Sequence, residues 1–446
     1  MRQAFIVLWA SFFALLCPQV LVAFTGEPSV DGKEELAVFE GQSIVRIGVQ
    51  GNRFTRDYVI WREVRSRVGQ PFSVKQMQDD VRRLDNLDIF SSVDVLPSRA
   101  EGGVVLSIQV REIPPAVPYI SYDVTDEDGW SYGPALKAVN MLGRDVYVTG
   151  SALFGGKTTF LLEVNDPWIA ANHLSLDLVL ARIERFNELD GFGETTLEFS
   201  PWLGVYAGEH GRLRAGFSYF AVSSDTAGHT LSTDGKDHLW RFGLGGGYDS
   251  RDWWGDPHRG WHNDIEWIKT GGLLPGDGDF WRLDLDLRRY QPLTAQHTLA
   301  LGTLVTLQSG KVGRDLPEYM DFHLGGSNTI RGYNVEELGR RLFGKNELLA
   351  TAEYRFPLAA RHEYEVFGMP ADLGLAGALF VDTGLAWNRG NEFELGRAKT
   401  GYGLGLRVLM PAVDMTRLDV GFDEGGNWRV HFASFAKFDA QRLRLR

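Results

Sequence analysis

Between residues 116 and 438 the sequence alternates apolar and polar residues, a pattern that predicts β-strands with two different faces. In the segment FWRLDLDLRR, Trp281, Leu283, Leu285 and Leu287 fall on one face, and the other face carries Arg282, Asp284, Asp286 and Arg288. The segment TRLDVGFD repeats the pattern, with Leu418 and Asp419 on opposite faces. Soluble sandwiches alternate as well. Many such segments with charged inner faces and no interleaved helices nevertheless favour a transmembrane antiparallel β-barrel with an aqueous lumen.

Sixteen candidate strands are predicted, an even number as bacterial barrels require. Their predicted starts lie near residues 117, 130, 144, 157, 172, 194, 211, 238, 261, 279, 298, 346, 373, 400, 415 and 427. With both barrel ends in the periplasm, connections after odd-numbered strands are extracellular and should be longer. The gaps at 223–237, 309–345 and 384–399 all follow odd-numbered strands. The segment YDSRDWWGDPHRGW is an exception, because it follows the eighth strand and is long for a periplasmic turn.

Residues 42–113 have mixed periodicity and predict a separate small α+β unit in the order β-α-α-β-β. The segment SIVRIGVQGN reads as a strand, and a helix is expected from Thr55 to Gly69. A second helix is predicted from a capping box at Ser73 and Gln76. The segments SSVDVLP and VVLSIQVRE then read as two strands joined by a glycine turn.

The N-terminal residues 1–23 read as a secretory signal peptide, with a basic start, a short apolar core and a small residue at Ala23. A membrane anchor is the alternative interpretation. Residues 24–41 are expected to be a linker, and residues 439–446 a short C-terminal tail. Beyond residue 24 no run of about eighteen apolar residues occurs, so a membrane protein of this sequence must span the bilayer as a barrel.

Composition and motifs argue against several classes of protein. The chain of 446 residues has a net charge of -12, which disfavours a nucleic-acid partner. Its only cysteine, Cys17, lies in the predicted signal peptide, so neither disulfides nor cysteine zinc sites are expected. Neither a G-x-S-x-G elbow nor HExxH nor a P-loop occurs, and His362-Glu363 lacks a second histidine. We therefore expect no enzyme activity, no cofactor and no metal site.

The tetrapeptide Ile330-Arg331-Gly332-Tyr333 lies on the long glycine-rich connection 309–345. An arginine in that setting needs a buried partner, and the following strands offer Glu353 and Asp382 on their polar faces. The sequence therefore predicts an extracellular loop that folds back into the lumen and is held there by a charge pair. A purely structural role for the loop glycines is the alternative.

Several of these segments resemble one family. Residues 42–113, with GN after the first strand and LDNLDIFSSVDV after the second helix, resemble a POTRA domain. The segments IRGY at 330–333, FVDTG at 380–384, and GYGLGLRVLMP followed by RLDVGF resemble the outer-membrane family that includes BamA, TamA and the two-partner secretion transporters. The turn that contains Asp249, Arg251, Asp252, Pro257 and Gly260 resembles the D-x-R-D turn of that family. The eight residues after the aromatic Phe438 depart from the family pattern, in which the chain usually ends there.

The resemblance implies a mainly β protein in which one POTRA domain precedes a sixteen-stranded barrel. It implies that Arg331 is the loop-tip arginine, Asp382 its strand partner and Glu353 a neighbouring acid. The remaining positions of this loop lock are Ile330, Gly332, Tyr333 and Gly384. It also implies a location in the bacterial outer membrane, with the POTRA domain in the periplasm.

The implied function is assembly of outer-membrane proteins or translocation of polypeptides. A client would be received at an exposed strand edge of the POTRA domain by β-augmentation. The candidate docking residues are Val93, Val95, Val105 and Ile108. Expected partners are unfolded outer-membrane or secreted polypeptides, outer-membrane lipids and accessory periplasmic or lipoprotein subunits. The alternatives are a secretion pore dedicated to one partner polypeptide and a passive porin or structural surface antigen.

Overall fold

The computed structural model describes residues 36–434 except 126, 170–173, 255, 367–368 and 411–412. This part of the chain contains a three-stranded sheet with two helices, followed by a sixteen-stranded sheet. The predicted signal peptide over 1–23, most of the predicted linker over 24–41 and the predicted tail over 439–446 lie outside the described residues.

The N-terminal unit has the predicted order of elements. These are β1 (Ile44–Gln50), α1 (Asp57–Glu63), α2 (Val74–Asp85), β2 (Phe90–Ala100) and β3 (Gly103–Glu112). Strand β3 is central, since it pairs in parallel with β1 and antiparallel with β2. The helices and the sheet enclose an apolar core that includes Ile60, Leu84 and Leu106. Among the described residues, no helix is long and apolar enough to cross a membrane.

Helix α1 is shorter than the sequence predicts, because it ends at Glu63 and not at Gly69. The carboxylate of Asp80 in α2 accepts hydrogen bonds from the backbone amides of Arg65 and Ser66, at 2.8 and 3.1 Å. These amides are therefore satisfied by a side chain, and the segment after α1 runs extended across α2.

The predicted capping box of α2 is absent. Ser73 occupies the N-cap position but its side chain makes no capping hydrogen bond. The amide of Val74 donates instead to the carboxylate of Glu40, at 2.8 Å. Gln76 donates to Asp80 within the helix, at 3.0 Å. The N-terminus of α2 is thus capped by a residue that precedes β1 in the sequence.

Sixteen strands form the barrel sheet, in which each strand pairs antiparallel with its neighbours. They are β4 (Ala116–Thr125), β5 (Gly129–Ala138), β6 (Tyr147–Gly155), β7 (Lys157–Ile169), β8 (Leu174–Asn187), β9 (Phe192–Ala207), β10 (Gly211–Ser224), β11 (Lys236–Asp249), β12 (Gly260–Gly271), β13 (Asp279–Pro292), β14 (Thr298–Gln308), β17 (Asn346–Val366), β18 (Met369–Trp387), β19 (Lys399–Met410), β20 (Val413–Phe422) and β21 (Trp428–Ser434). The loop between β14 and β17 contains the two-residue strands β15 (Phe322–His323) and β16 (Phe343–Gly344). Single helical turns occur at Met141–Gly143, Glu318–Met320, Val335–Leu338, Gly390–Glu392 and Leu395–Arg397.

The two faces of the barrel strands differ as the alternation predicts. On β13, Leu287 is 47% exposed, whereas its neighbours Asp286 and Arg288 are 0% and 4% exposed. The charged side chains therefore face inward and the apolar ones outward. All sixteen strands start within four residues of the predicted positions. The predicted fold class is confirmed.

The first and last barrel strands meet at a seam. Sheet pairing runs continuously from β4 to β21, but no backbone pairing between these two strands occurs in the described residues. Contact across the seam comes from side chains: the Phe432 ring lies 5.6 Å from the ring of Tyr122 and 5.1 Å from that of Trp130. The Tyr122 hydroxyl also hydrogen bonds Thr416, at 2.6 Å. The described strands therefore form a nearly closed barrel, with side-chain contacts at the seam.

The N-terminal unit packs against the barrel turns that lie on its side. Arg62 in α1 forms an ion pair with Asp145 in the turn between β5 and β6, and Asn140 of that turn donates to Thr55, at 2.7 Å. A second contact involves the turn between β9 and β10, where Glu209 forms an ion pair with Arg65. The unit is thus fixed to the barrel at several points.

The unusually long turn after β11 contributes to the same interface. The Asn86 side chain at the end of α2 donates to the carbonyl of Asp252 at 3.1 Å and accepts from the amide of Trp254 at 3.3 Å. The length that makes this turn an exception in the sequence therefore lets it reach the N-terminal unit.

Candidate functional site

The loop that carries IRGY, residues 309–345, lies inside the barrel, and we call it the lumen loop. It contributes Leu324, Ile330, Leu338 and Leu342 to an apolar cluster that also contains strand residues. Ile330 is 0% exposed. Because these contacts hold an apolar core between the loop and the barrel wall, the loop is a packed part of the structure.

Arg331 at the tip of the lumen loop is fully buried and contacts three carboxylates. Its Nε and Nη2 atoms donate to the two carboxylate oxygens of Asp382, at 2.7 and 2.9 Å, in a bidentate pair. Its Nη1 donates to Glu353 at 2.7 Å and to Asp419 at 3.2 Å. The guanidinium also lies 3.5 Å from the centroid of the Phe380 ring. The predicted arginine and both predicted acids are thus in direct contact.

Further arginines surround the same carboxylates. Arg407 donates to Glu353 at 3.0 Å and to Asp419 at 2.5 Å. Arg417 donates to Asp419 at 3.3 Å. Buried charges are tolerated when each has an opposite charge and hydrogen-bond partners. Arg355 also pairs with Glu353, so four arginines surround the three carboxylates at the loop tip.

Sequence reasoning did not assign Asp419, Arg407 or Arg417 to this site. The alternation of TRLDVGFD places Arg417 and Asp419 on the inward face. Alternation alone does not show how far up the barrel a residue of one strand lies relative to residues of distant strands. The pairing register supplies that height, since Arg407 lies opposite Arg417 and Gly405 opposite Asp419.

Glycines let the loop backbone approach the barrel wall. Gly332 has φ of +99°, a conformation that favours glycine. A Cβ atom on Gly401 would lie 1.9 Å from the carbonyl oxygen of Arg331, and one on Gly421 would lie 2.5 Å from the Gly332 amide nitrogen. A Cβ on Gly384, a predicted site position, would lie 3.0 Å from Ile330. The loop tip therefore rests directly on three glycine positions of the wall.

Two further contacts tie the loop tip to the end of the chain. The amide of Gly332 donates to Nε2 of His431 on β21, at 2.9 Å. The hydroxyl of Tyr333 accepts from the amide of Glu424, in the turn between β20 and β21, at 3.2 Å. The lumen loop thus contacts both the last strand and the turn that precedes it.

The predicted docking residues divide between two strands of the N-terminal sheet. Val105 and Ile108 lie on β3, where Val105 pairs with Arg46 and Ser98 on its two sides. A strand that is paired on both sides cannot accept another, so the prediction that Val105 and Ile108 form a docking edge is wrong. Alternation in the sequence shows which residues form strands but not which strand is central.

Val93 and Val95 lie on β2, which is an outer strand of the sheet. Proline has no N–H to give to β3, so the nitrogen of Pro97 in the same strand faces the open side. Because main-chain groups alternate in direction along a strand, the amides of Val95 and Val93 face that side as well. The Val95 side chain is 8% exposed and belongs to the core, so only its backbone is available. Strand β1 is the other outer strand.

Burial determines the pKa values of carboxyl groups at the interface between the N-terminal unit and the barrel. Burial raises the pKa of Asp145 to about 8, although the ion pair with Arg62 acts in the opposite direction. Burial also raises the pKa of Glu63, despite the nearby Arg62 charge. The exposed carboxylate of Glu209 differs, because its hydrogen bond with Arg65 lowers its pKa. Asp145 and Glu63 are therefore the groups of this contact whose pKa values are raised.

The part of the chain that the structure describes contains no group of three or more His, Cys, Asp or Glu side chains arranged to hold a metal ion. The buried carboxylates Glu353, Asp382 and Asp419 all have arginine partners instead.

Two family models match the sequence. The model described as the Omp85 superfamily domain matches residues 140–433, and the POTRA model, described as surface antigen variable number repeat, matches residues 43–113. Together they span both structural units.

Individual proteins of known name are also similar to this chain in sequence or structure. The outer membrane protein assembly factor BamA of Nitratidesulfovibrio vulgaris is 27% identical over 426 residues, which cover 88% of this chain and 50% of that protein. The structure of BamA from Haemophilus ducreyi lacking POTRA domains 1-3 has a TM-score of 0.56 at 15% identity, covering 88% of this chain and 85% of the other. For CdiB from Acinetobacter baumannii the TM-score is 0.52 at 14% identity, with coverages of 88% and 73%. The chain spans about half the length of the curated relatives it matches.

Proposed function

The chain belongs to the Omp85 superfamily, and from this premise we propose that it inserts client polypeptides into the outer membrane or moves them across it. The observation that carries the proposal is an open strand edge on β2 combined with a barrel seam that lacks backbone pairing in the described residues. Both are places where an incoming strand can form main-chain hydrogen bonds. Neither step consumes chemical energy, because β-pairing itself supplies the driving force.

In the proposed sequence of events, an unfolded client first pairs with β2. The β2 strand approaches β18, three strands from β21 at the seam. The client then reaches the seam between β4 and β21, where it inserts or passes through. The proposed partners are unfolded outer-membrane or secreted polypeptides, membrane lipids and accessory periplasmic or lipoprotein subunits.

The charge network around Arg331 is proposed to stabilise the barrel during this process. Opening the seam separates β4 from β21, and the lumen loop contacts β21 through His431. A loop anchored to β17, β18 and β20 by carboxylates would keep the rest of the barrel intact while the seam opens.

A passive porin is a poorer fit. Porins leave an aqueous channel, whereas the lumen loop fills part of this barrel with a packed apolar cluster. A porin also has no use for an N-terminal unit whose outer strand is open. A secretion pore dedicated to one polypeptide remains the alternative within transport.

Reconstitution tests the proposal. The full chain is inserted into vesicles, and a urea-unfolded outer-membrane barrel protein is added as client. We expect more of the client to reach the folded, heat-modifiable form than in empty vesicles. Equal folding in both would overturn the insertase function. Depleting the protein from cells then separates the two transport functions, since an insertase changes the whole outer-membrane profile and a dedicated pore removes one secreted protein.

A further inference from the structure

Five apolar side chains remain exposed where the N-terminal unit meets the barrel. Phe54, Tyr58 and Trp61 lie on or beside α1, and they are 44%, 39% and 36% exposed. Met141 and Leu142 lie in the turn between β5 and β6, and they are 42% and 66% exposed. We call these five residues the junction patch. Contiguous exposed apolar surface of this kind marks an interaction site.

Main-chain contacts bring the two parts of the junction patch together. The amide of Arg56 donates to the carbonyl of Gly143 at 3.0 Å, and its Nε donates to the carbonyl of Leu142 at 3.2 Å. A Cβ atom on Gly143 would lie 2.1 Å from the carbonyl oxygen of Phe54. The two segments therefore touch along their backbones.

Backbone hydrogen bonds and backbone conformation keep the side chains of the junction patch exposed. The Glu112 carboxylate accepts from the amides of Arg53 and Phe54, which holds Phe54 outside the core. Leu142 has φ of +58°, a conformation that a bulky residue adopts only when its surroundings impose it. Two independent features thus keep apolar side chains on the surface.

The position of the junction patch relative to the barrel indicates what it binds. Leu142 follows β5 by four residues, and that strand carries Leu136, 49% exposed, on the outward face that meets lipid. Helix α1 is held near the rim at both ends, by Arg56 at its start and by the ion pair of Arg62 at its end. The polar layer of a bilayer extends on the order of 5 Å or more beyond the hydrocarbon on each side. Leu142 follows Leu136 by six residues along the chain, so the patch is close to this layer.

The geometry points to the junction patch as a membrane-surface anchor that sits in the headgroup layer of the periplasmic leaflet. Tyrosine and tryptophan favour this layer because their rings are apolar at one end and polar at the other. Arg53 and Arg56 flank Phe54 and are exposed, so the anchor favours anionic phospholipid. Its consequence is a fixed orientation of the N-terminal sheet, and hence of β2, relative to the membrane plane.

Single-cysteine labelling of the full chain tests this inference. In a Cys17→Ser background, Tyr58→Cys and Leu142→Cys are each labelled with an environment-sensitive fluorophore. The protein is inserted into vesicles of phosphatidylcholine and phosphatidylglycerol. We expect a blue shift of the emission and a loss of intensity when lipids with a spin-labelled headgroup are included.

Two controls make the outcome decisive. Val68→Cys is the matched control, since Val68 is 61% exposed and its neighbour Gly69 donates to Ile44 at the sheet end away from the barrel. It should show neither change. Leu203→Cys, on the outward face of β9 and 57% exposed, reports insertion of the barrel itself. If Leu203→Cys is quenched while Tyr58→Cys and Leu142→Cys behave like Val68→Cys, the anchor is disproved and the proposed function is unaffected.

The lipid preference and the competing occupant are tested with the same labels. Arg53→Ser should reduce the Tyr58→Cys shift in vesicles that contain phosphatidylglycerol, and should leave it unchanged in phosphatidylcholine alone. An equal shift in detergent micelles and in vesicles, without quenching by the spin-labelled headgroup, would overturn the inference in favour of a protein contact.

Discussion

The backbone amide of Gly332 donates a 2.9 Å hydrogen bond to the ring nitrogen Nε2 of His431. This bond joins the tip of the lumen loop to the last barrel strand, so the loop and the seam are physically connected. Its geometry requires the other ring nitrogen to carry the proton. The tetrapeptide IRGY therefore contacts the charge network on one side and the last barrel strand, β21, on the other.

Replacing Arg331 by alanine should destabilise the barrel strongly. The change leaves Asp382, Glu353 and Asp419 with fewer counter-charges, and breaking a fully buried pair typically costs about 3–5 kcal/mol. The measurement is the temperature at which the folded form loses its distinct gel mobility. Arg389→Ala, at an exposed loop position, is the control and should change this temperature little.

The double mutant of Arg331→Ala with Asp382→Ala should be about as stable as either single mutant. Both groups belong to one bidentate pair, so their losses are not independent. Fully additive losses would contradict the pairing as the source of the stability.

Gly401→Ala should displace the loop tip without removing any charge. Its Cβ would lie 1.9 Å from the Arg331 carbonyl oxygen, so the backbone must move. Overpacking of this kind costs at least about 1–3 kcal/mol. Gly150→Ala on β6 is the matched control, since nothing lies within 4 Å of the added atom. Faster hydrogen exchange over residues 325–335 in Gly401→Ala alone is the expected result, and equal exchange in both variants would argue against close approach.

Val93→Pro should abolish client handling while the protein still folds and inserts. The substitution removes an amide that faces the open side of β2 and leaves the pairing with β3 in place. Val93→Ala is the control, because it removes the branched side chain but keeps the amide. Client folding in reconstituted vesicles is the readout. Loss of activity in both variants would assign the effect to packing of the Val93 side chain.

Contact between the N-terminal unit and the barrel should weaken as the pH rises. The pKa of Asp145 is raised from an ordinary value of about 3.9 to about 8 in the docked state. The docked state therefore binds more protons between these values, so this stabilising contribution is complete below pH 4 and is lost as the pH passes 8. Hydrogen exchange of α1 amides, corrected for intrinsic rates, measures the effect.

Two variants identify the titrating group. Asp145→Asn removes the charge and suits the left-handed backbone at this position, where φ is +64°. It should reduce the pH dependence and leave the part that Glu63 contributes. Glu209→Gln should leave the dependence above pH 5 unchanged, because the pKa of Glu209 is lowered. An unchanged pH response in Asp145→Asn would assign it to another group, such as Glu63.

The sequence predicts the barrel well because a lipid-facing wall imposes strict alternation on each strand. The starts of β7, β10, β13 and β14 agree to the residue with the structure. The loop arginine and its acids could be found because a charged side chain within a glycine-rich loop requires partners. The residue pattern within each segment is enough to predict the strand starts and the charged loop residue.

Relationships between distant segments could not be predicted in the same way. The central position of β3 depends on which strands pair, and both VVLSIQVRE and SSVDVLP read equally well as edges. The contact of Asp419 with Arg331 joins residues 88 positions apart and depends on barrel register. The early end of α1 depends on Asp80, a residue of the next helix.

The origin of the Arg331 partners also constrains how the chain folds. Its carboxylates come from β17, β18 and β20, at separations of 22, 51 and 88 residues. The chain segments that these contacts close are short compared with the length of the whole barrel. Contacts that close shorter segments form faster. We therefore expect the C-terminal strands and the loop tip to form a nucleus onto which the earlier strands add, with the seam closing last. Pulsed hydrogen exchange during refolding should protect residues 346–422 before residues 116–224, and simultaneous protection would exclude this order.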